Sequence, residues 1–249
     1  MLFKQKYDLI FSMGEACSCT QALRASHLQF FSYPFDWLFG SDFMGRVDIL
    51  CNNFENFINK EDLEFSYIEE RTACNAYRNK ANNITFNHDF KQDISFDEMY
   101  IKVKEKYDRR IKRLFSQIEN SKRILIVFLQ IPNNDKELDE NSLKNIYEKF
   151  AQKFPKTEID ILYLYNDNGN HYEKFEPVMI GDNIYKIKFE YNAFNKDFPY
   201  AVNTKILRRF FRKIKISTKY MTFKNIIKRT LFNLRLDIKD LLWKKSWYR

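Results

Sequence analysis

The sequence predicts an α/β protein: a three-layer sandwich with a mostly parallel central sheet, followed by a basic helical segment at the C-terminus. Three observations lead there. Apolar runs of strand length alternate with segments of helical period, the order expected of a parallel sheet with right-handed crossovers and helices on both faces. Gly and Pro number only five each in 249 residues, too few for a sandwich of short strands and tight turns. Charge is also divided unevenly. Residues 201–249 carry 15 of the 42 Lys and Arg but only Asp237 and Asp240 among the acids, so this segment is +13 and the remainder −4. The chain is therefore read as an α/β domain over 1–200 and a basic amphipathic tail over 201–249.

The elements follow in order. Tyr7 to Met13 is a short apolar run stopped by Gly14 and reads as a buried strand. Ala16 to Leu28 reads as a helix, with Ala22, Leu23 and Ala25 as good formers. Phe30 to Phe39, with Pro34 and several aromatics, reads as a packed loop. Asp42 to Phe57 is helical, with apolar residues at 43, 47, 50, 54 and 57. Residues 59–96 are the least regular part, apart from a short strand at Asn83 to Phe86. A long helix opens near Asp97, its expected N-cap, and repeats Tyr107, Ile111, Leu114 and Ile118. Arg123 to Ile131 is the strongest strand signal and stops at Pro132. Leu143 to Phe154 is a helix, Glu158 to Tyr165 a buried strand, and Ile184 to Glu190 an edge strand.

Composition excludes several classes. At 45% hydrophobic and 30% charged residues the chain can bury a sizeable core. No stretch reaches the roughly 20 apolar residues that span a bilayer. The opening residues 1–15 show no long apolar stretch and no small-residue cleavage site, so no secretory signal is expected there. Cys17, Cys19, Cys51 and Cys74 show no CxxC spacing and no His cluster, so neither a structural zinc site nor another metal or cofactor is expected. Free thiols in a reducing cytoplasm follow.

The junction Gly14-Glu15-Ala16-Cys17 carries the candidate chemistry. Ligands of parallel α/β folds bind where strand ends lead into helix N-termini. Gly14 permits a tight turn there, with Glu15 beside it. A thiol in the first helical turn meets the positive end of the helix dipole, which favours thiolate, and the amides of that turn can hold an oxyanion. The other reading of Cys17 is a small buried residue packing a helix on the sheet. A nucleophilic Cys needs a base and an orienting group. His88 in a polar loop and Asp36 in an aromatic loop can serve, with Asp89 as an alternative to Asp36, and Trp37 lies next to Asp36. His27 and His171 are equally isolated histidines. Arg24 is seven residues after Cys17, on the same helical face, while Arg109 and Arg110 edge the long helix. These arginines either meet an anionic substrate or are solvated.

Gly14-x-x-Cys17, Leu23-Arg24, Ser32-x-Pro34-Phe35-Asp36-Trp37, His88-Asp89-Phe90 and Tyr107-x-Arg109-Arg110-Ile111 resemble a bacterial family of unknown function catalogued under the description "putative papain-like cysteine peptidases". The resemblance spans roughly residues 5–190, with the Pro-Phe-Asp-Trp block its most specific part. It implies Cys17 and His88 as a catalytic pair. The papain signature itself is missing: Ser18-Cys19 follows Cys17, and His88 lies only 71 residues on, where papain-type enzymes place it about 130–150 residues later. By fold-level analogy the chain is also similar to α/β esterases and to capsule-biosynthesis acyltransferases with a Cys after the first strand.

Three functions remain open. One is acyl transfer or hydrolysis through Cys17, His88 and Asp36, on a small-molecule or surface-glycan substrate of polysaccharide biosynthesis. Another is glycosyl or phosphoryl transfer, with Arg24, Arg109 and Arg110 on phosphate; no DxD, P-loop or GxGxxG accompanies it. The third is a non-catalytic protein docking on membrane or nucleic acid. In the tail, Arg208, Arg209, Arg212, Lys213, Lys224 and Lys228 are interleaved with aromatics including Trp243 and Trp247. Phe223, Ile226, Ile227, Leu231 and Leu234 share a face. Such a helix reads as interfacial, peripheral on the inner membrane surface, with nucleic acid as rival and packing on the body as the bland alternative.

Overall fold

A computed structural model describes residues 2–130, 137–167, 175–189 and 204–242. Its elements in chain order are β1 (Lys6–Tyr7), β2 (Leu9–Ser12), α1 (Cys17–Ala25), β3 (Leu38–Phe39), α2 (Phe43–Cys51), β4 (Leu63–Glu69), β5 (Cys74–Asn79), β6 (Thr85–Lys91), α3 (Phe96–Glu119), β7 (Arg123–Leu129), α4 (Glu140–Lys153), β8 (Glu158–Asn166), β9 (Val178–Ile180), β10 (Ile184–Phe189), α5 (Thr204–Arg212), β11 (Lys215–Ile216) and α6 (Phe223–Leu242). His171, Trp243 and Trp247 lie outside the described residues, as does the Pro132 expected to end β7.

The central sheet runs β2-β7-β8-β10-β9. The first four strands pair in parallel, and β9 closes the edge antiparallel to β10. This sheet is mixed rather than mostly parallel. A hairpin from β9 into β10 caps what would have been a parallel edge, so β10 is not the edge strand. The described residues thus form a mixed α/β structure with several sheets and six α-helices. A second, antiparallel sheet, β3-β6-β5-β4, stands where the sequence shows least regularity, and a two-stranded sheet joins β1 to β11.

Alternation along the strands creates two cores. Ile124, Ile126 and Phe128 of β7 join the larger cluster with residues of α2, α3 and α4, among them Val47, Leu114 and Ile146. Leu125, Val127 and Leu129 point the other way, into a cluster with Leu23 of α1 and Leu207, Phe210 and Phe211 of α5. Period-2 alternation in a strand buried on both sides has this consequence. Helix starts are set by side chains. Asp42 accepts from the Gly45 amide at 2.7 Å, and Asp139 from Ser142 at 2.7 Å. Ser95 caps α3 through the Glu98 amide at 3.3 Å, so Asp97 is not the N-cap but lies in the first turn, where its charge suits the helix dipole.

Candidate active site

β2 ends at Ser12 and α1 begins at Cys17, with Gly14 and Glu15 in the turn between them. Gly14 is needed for closeness. A Cβ there would lie 2.4 Å from Cys19 Cβ and 3.2 Å from the Leu129 amide nitrogen. The helix therefore sits directly on the end of β7. The Gly14 amide donates to Ser12 Oγ at 3.2 Å, and the Glu15 amide to the Leu129 carbonyl at 3.4 Å. Ala16, at the N-cap position, offers no side-chain cap, and the first turn of α1 holds no acid. A helix N-terminus without its own capping side chain keeps the polarity that suits a developing oxyanion.

The two neighbouring thiols differ. Cys19 is buried, donates to the Val127 carbonyl at 3.5 Å, and its pKa is pushed up to about 12 by burial. It fills the packing role that was open for Cys17. Cys17 is only partly buried. Burial pushes its thiol up, the Glu69 carboxylate adds to the rise, and a backbone amide opposes both. The expectation that the helix dipole favours thiolate is thus outweighed by desolvation and a neighbouring negative charge. Such a cysteine rests as a thiol and requires a base.

Asp36 is fully buried and occupied. It accepts from Thr20 Oγ1 at 2.8 Å, from Gln29 Nε2 at 2.7 Å and from the Tyr33 amide at 2.9 Å. Arg24 lies 3.9 Å from it, donates to Ser32 Oγ at 2.7 Å, and stacks 5.7 Å from the Trp37 ring centroid. Trp37 adopts a left-handed backbone, φ 67°, a strained state for a bulky residue. Asp36, Arg24 and Trp37 thus form one network that fixes the loop after α1. Burial keeps the Asp36 carboxyl above its usual range despite those donors.

His88 sits on β6, not in a loop, and is exposed; its Nδ1 is 3.3 Å from Thr72 Oγ1. Asp89 turns toward α3, where Tyr107 donates to it at 2.7 Å and Lys106 pairs with it. The Arg110 guanidinium lies 5.2 Å from the Tyr107 ring centroid, and Arg109 pairs with Glu105 on the solvent face of α3. The three arginines therefore belong to separate environments.

The structure adds residues that local sequence pattern did not mark. Glu69 ends β4, and its side chain accepts from the Arg71 amide at 3.3 Å, closing a short 3-10 turn, Glu70–Thr72. That turn carries Thr72, whose hydroxyl lies 3.3 Å from His88 Nδ1, and the Glu69 charge is felt at Cys17 as a small addition to the rise that burial causes in its pKa. Arg46 of α2 is fully buried. It donates to the carbonyls of Glu15 at 3.3 Å, Leu38 at 3.3 Å, Gly40 at 2.8 Å and Ser41 at 3.1 Å, which pins the β2–α1 turn to the loop around β3. Its Nη1 has no hydrogen-bond partner among the described residues, and burial lowers its pKa to about 10. Asn87, beside His88, is buried with Oδ1 unpartnered among the described residues. Among those residues no group of three or more His, Cys, Asp or Glu could hold a metal ion.

The basic tail divides. The apolar face of α5, Leu207, Phe210 and Phe211, is buried in the second core, leaving Arg208 exposed and Arg209 partly covered. Arg212 pairs with Asp237 of α6, and Lys213 lies 5.7 Å from the Phe3 ring centroid. For α5 the packing alternative holds. Lys224 and Lys228 of α6 are exposed. No helix of the described residues is long and apolar enough to cross a membrane.

Cys17 thus lies partly exposed at a strand-to-helix turn inside a mixed α/β frame. Residues 8–169 match the family described as "Putative papain-like cysteine peptidase", and the chain belongs to that family. It is also similar to the uncharacterized protein R408 of Acanthamoeba polyphaga mimivirus, 25% identical over 205 residues, covering 75% of this chain and 91% of that one. This relative is viral, so the expectation of a bacterial family gains no support from it. No solved structure matches the chain. The family name points to a hydrolase. It lends nothing to acyl transfer or to a polysaccharide pathway.

Proposed function

We propose that this protein is a cysteine hydrolase in which Cys17 is the nucleophile and His88 its base. The observation that carries the reading is the place of Cys17, partly exposed in the uncapped first turn of the helix that follows β2, in a chain of a cysteine peptidase family. In the tautomer whose Nδ1–H donates to Thr72 Oγ1, the Nε2 of His88 is unprotonated and can accept a thiol proton. Cys17 Sγ bonds to the acyl carbon while its proton passes to His88. The imidazolium returns that proton to the departing group, and the carbonyl oxygen gathers charge beside the first-turn amides of α1. Water then attacks the thioester, yields the acid and regenerates the thiol. Asp36 and Trp37 position the loop against α1 and take no proton. Phosphoryl or glycosyl transfer is not favoured, because Arg24, Arg109 and Arg110 are each engaged by protein side chains, Asp36, Glu105 and Tyr107.

The test needs no known substrate. Alkylation of Cys17 by iodoacetamide is followed against pH in wild type and His88→Ala. If the histidine takes the thiol proton, the wild-type rate profile contains a histidine-dependent step that the variant lacks. Superimposable profiles overturn the pairing. An acyl-enzyme trapped on Cys17 with an activated ester, and lost in Cys17→Ala, completes the case.

A further inference from the structure

The outward face of α6 serves none of the chemistry above. Its side chains divide into three sectors. Asn225, Arg229, Phe232 and Asn233 turn toward the body and are partly buried. Arg229 fixes the helix: it donates to the carbonyls of Ser26 at 3.2 Å, His27 at 2.8 Å and Ile214 at 2.9 Å, while Phe232 meets the His27 ring at 5.0 Å. The opposite sector holds Phe223, Ile227, Leu231, Leu234 and Ile238, which are 78%, 43%, 58%, 53% and 46% exposed. At 3.6 residues per turn these five fall within an arc of about 80°. Ile226, grouped with them by spacing, turns toward the body instead. The third sector, alongside the apolar arc, carries Lys224, Lys228 and Arg235, all exposed.

We infer that α6 docks this protein on an anionic lipid surface, with its apolar arc in the headgroup region and the basic flank against the lipid charges. A continuous aliphatic stripe on the outside of a helix that is already held down does not complete a core, and it needs a partner. Its chemistry selects the partner. Large apolar side chains with a cationic border match an interface of acyl chains below and negative headgroups above. Pairing with a second copy fits poorly. An antiparallel pair would bring the Lys224 and Lys228 end of one helix beside Arg235 of the other, and Asp237 is already engaged by Arg212. Nucleic acid fits poorly too, since four of the five stripe residues are aliphatic and offer no ring on which a base can stack.

The test uses the full chain, because removing α5 would strip Leu207, Phe210 and Phe211 from the core. Co-sedimentation is measured with vesicles of phosphatidylcholine alone and of phosphatidylcholine mixed with phosphatidylglycerol. Wild type is expected to bind only the anionic vesicles. Leu231→Glu with Leu234→Glu abolishes binding. Lys224→Gln, Lys228→Gln and Arg235→Gln together weaken it roughly a hundredfold. All five side chains are exposed, so both variants keep the wild-type melting temperature, and that is verified first. Failure of wild type to sediment with anionic vesicles overturns the inference, as does retained binding in the leucine variant. A dimer in velocity sedimentation that the leucine variant dissolves, with no vesicle binding, reassigns the face to self-association. Binding to duplex or single-stranded DNA that is lost in the charge variant but kept in the leucine variant reassigns it to nucleic acid.

Discussion

Replacing Asp36 with Ala tests whether this carboxylate is the keystone of the loop that borders Cys17. The side chain has no solvent exposure and accepts from Thr20, Gln29 and the Tyr33 amide, at 2.8, 2.7 and 2.9 Å. Thr20 and Gln29 are themselves buried, so truncation strands donors that water cannot easily reach. Each stranded donor costs about 1–3 kcal/mol, though Thr20 can rotate its hydroxyl to another acceptor. Arg24 is partly exposed and its ion pair adds little. Asp36→Ala therefore destabilises by about 3–5 kcal/mol, a fall of about 10 °C in Tm for a chain of this size. Asp36→Asn behaves differently. Its oxygen can face Gln29 and the Tyr33 amide while its NH2 donates to Thr20 Oγ1, so the loss is about 1–2 kcal/mol. Urea unfolding followed by circular dichroism measures both. Equal losses in the two variants, or an Ala variant within about 0.5 kcal/mol of wild type, would refute the hydrogen-bond accounting.

Other expectations follow from the same geometry. Because burial and Glu69 hold the Cys17 thiol up, Glu69→Gln should speed its alkylation at fixed pH, while Cys19 stays unlabelled until the protein unfolds; mass spectrometry of the labelled peptides distinguishes the two. The raised folded-state pKa of Asp36 contributes stability that is present at acid pH and lost as pH rises through it, so the advantage of wild type over the non-titrating Asp36→Asn should shrink from about pH 4 to neutrality in parallel melts. Gly14→Ala forces a Cβ against Cys19 and should cost about 1–3 kcal/mol in urea midpoint terms; an unchanged midpoint would show that α1 is not seated on β7. Arg229→Ala leaves three carbonyls without their donor, and hydrogen exchange should accelerate in α6 alone, with the amides of β7 and β8 keeping wild-type protection.

The central sheet was legible because its strands are buried on both faces and read as unbroken apolar runs, such as Arg123 to Leu129 and Glu158 to Tyr165. β4 and β5 were not. β4 is half or fully exposed along its whole length, so the alternation from Leu63 to Tyr67 marks no buried face, and a register shift breaks it after Phe65. β9 was missed because three residues are too few for a period. At the site, Gly14 followed by a helix marked Cys17 from local pattern alone. Glu69, Thr72 and Asn87 could not be found that way. They come together through the packing of β4, β5 and β6 into one sheet, which local spacing does not encode. Arg46 hides between Phe43 and Val47 of an apolar stripe, where a cation looks solvated until four backbone carbonyls surround it. In the tail, spacing found an amphipathic helix but assigned Ile226 to the wrong side, since period alone does not say which of two apolar arcs the body will take.

The join between the chain's two ends has a consequence for biosynthesis. Lys6 and Tyr7 pair with Lys215 and Ile216, and the Ser217 hydroxyl donates to Asp8 across a separation of 209 residues. β1 therefore leaves the ribosome long before its β-sheet partner is made. At about 5–20 residues per second the wait is roughly 10–40 s, during which the edge of β1 and the face later covered by Phe210 and Phe211 stay open. A nascent chain halted before residue 204 lacks that cover entirely, so ribosome-bound intermediates of this protein should be far more dependent on chaperones than the finished molecule.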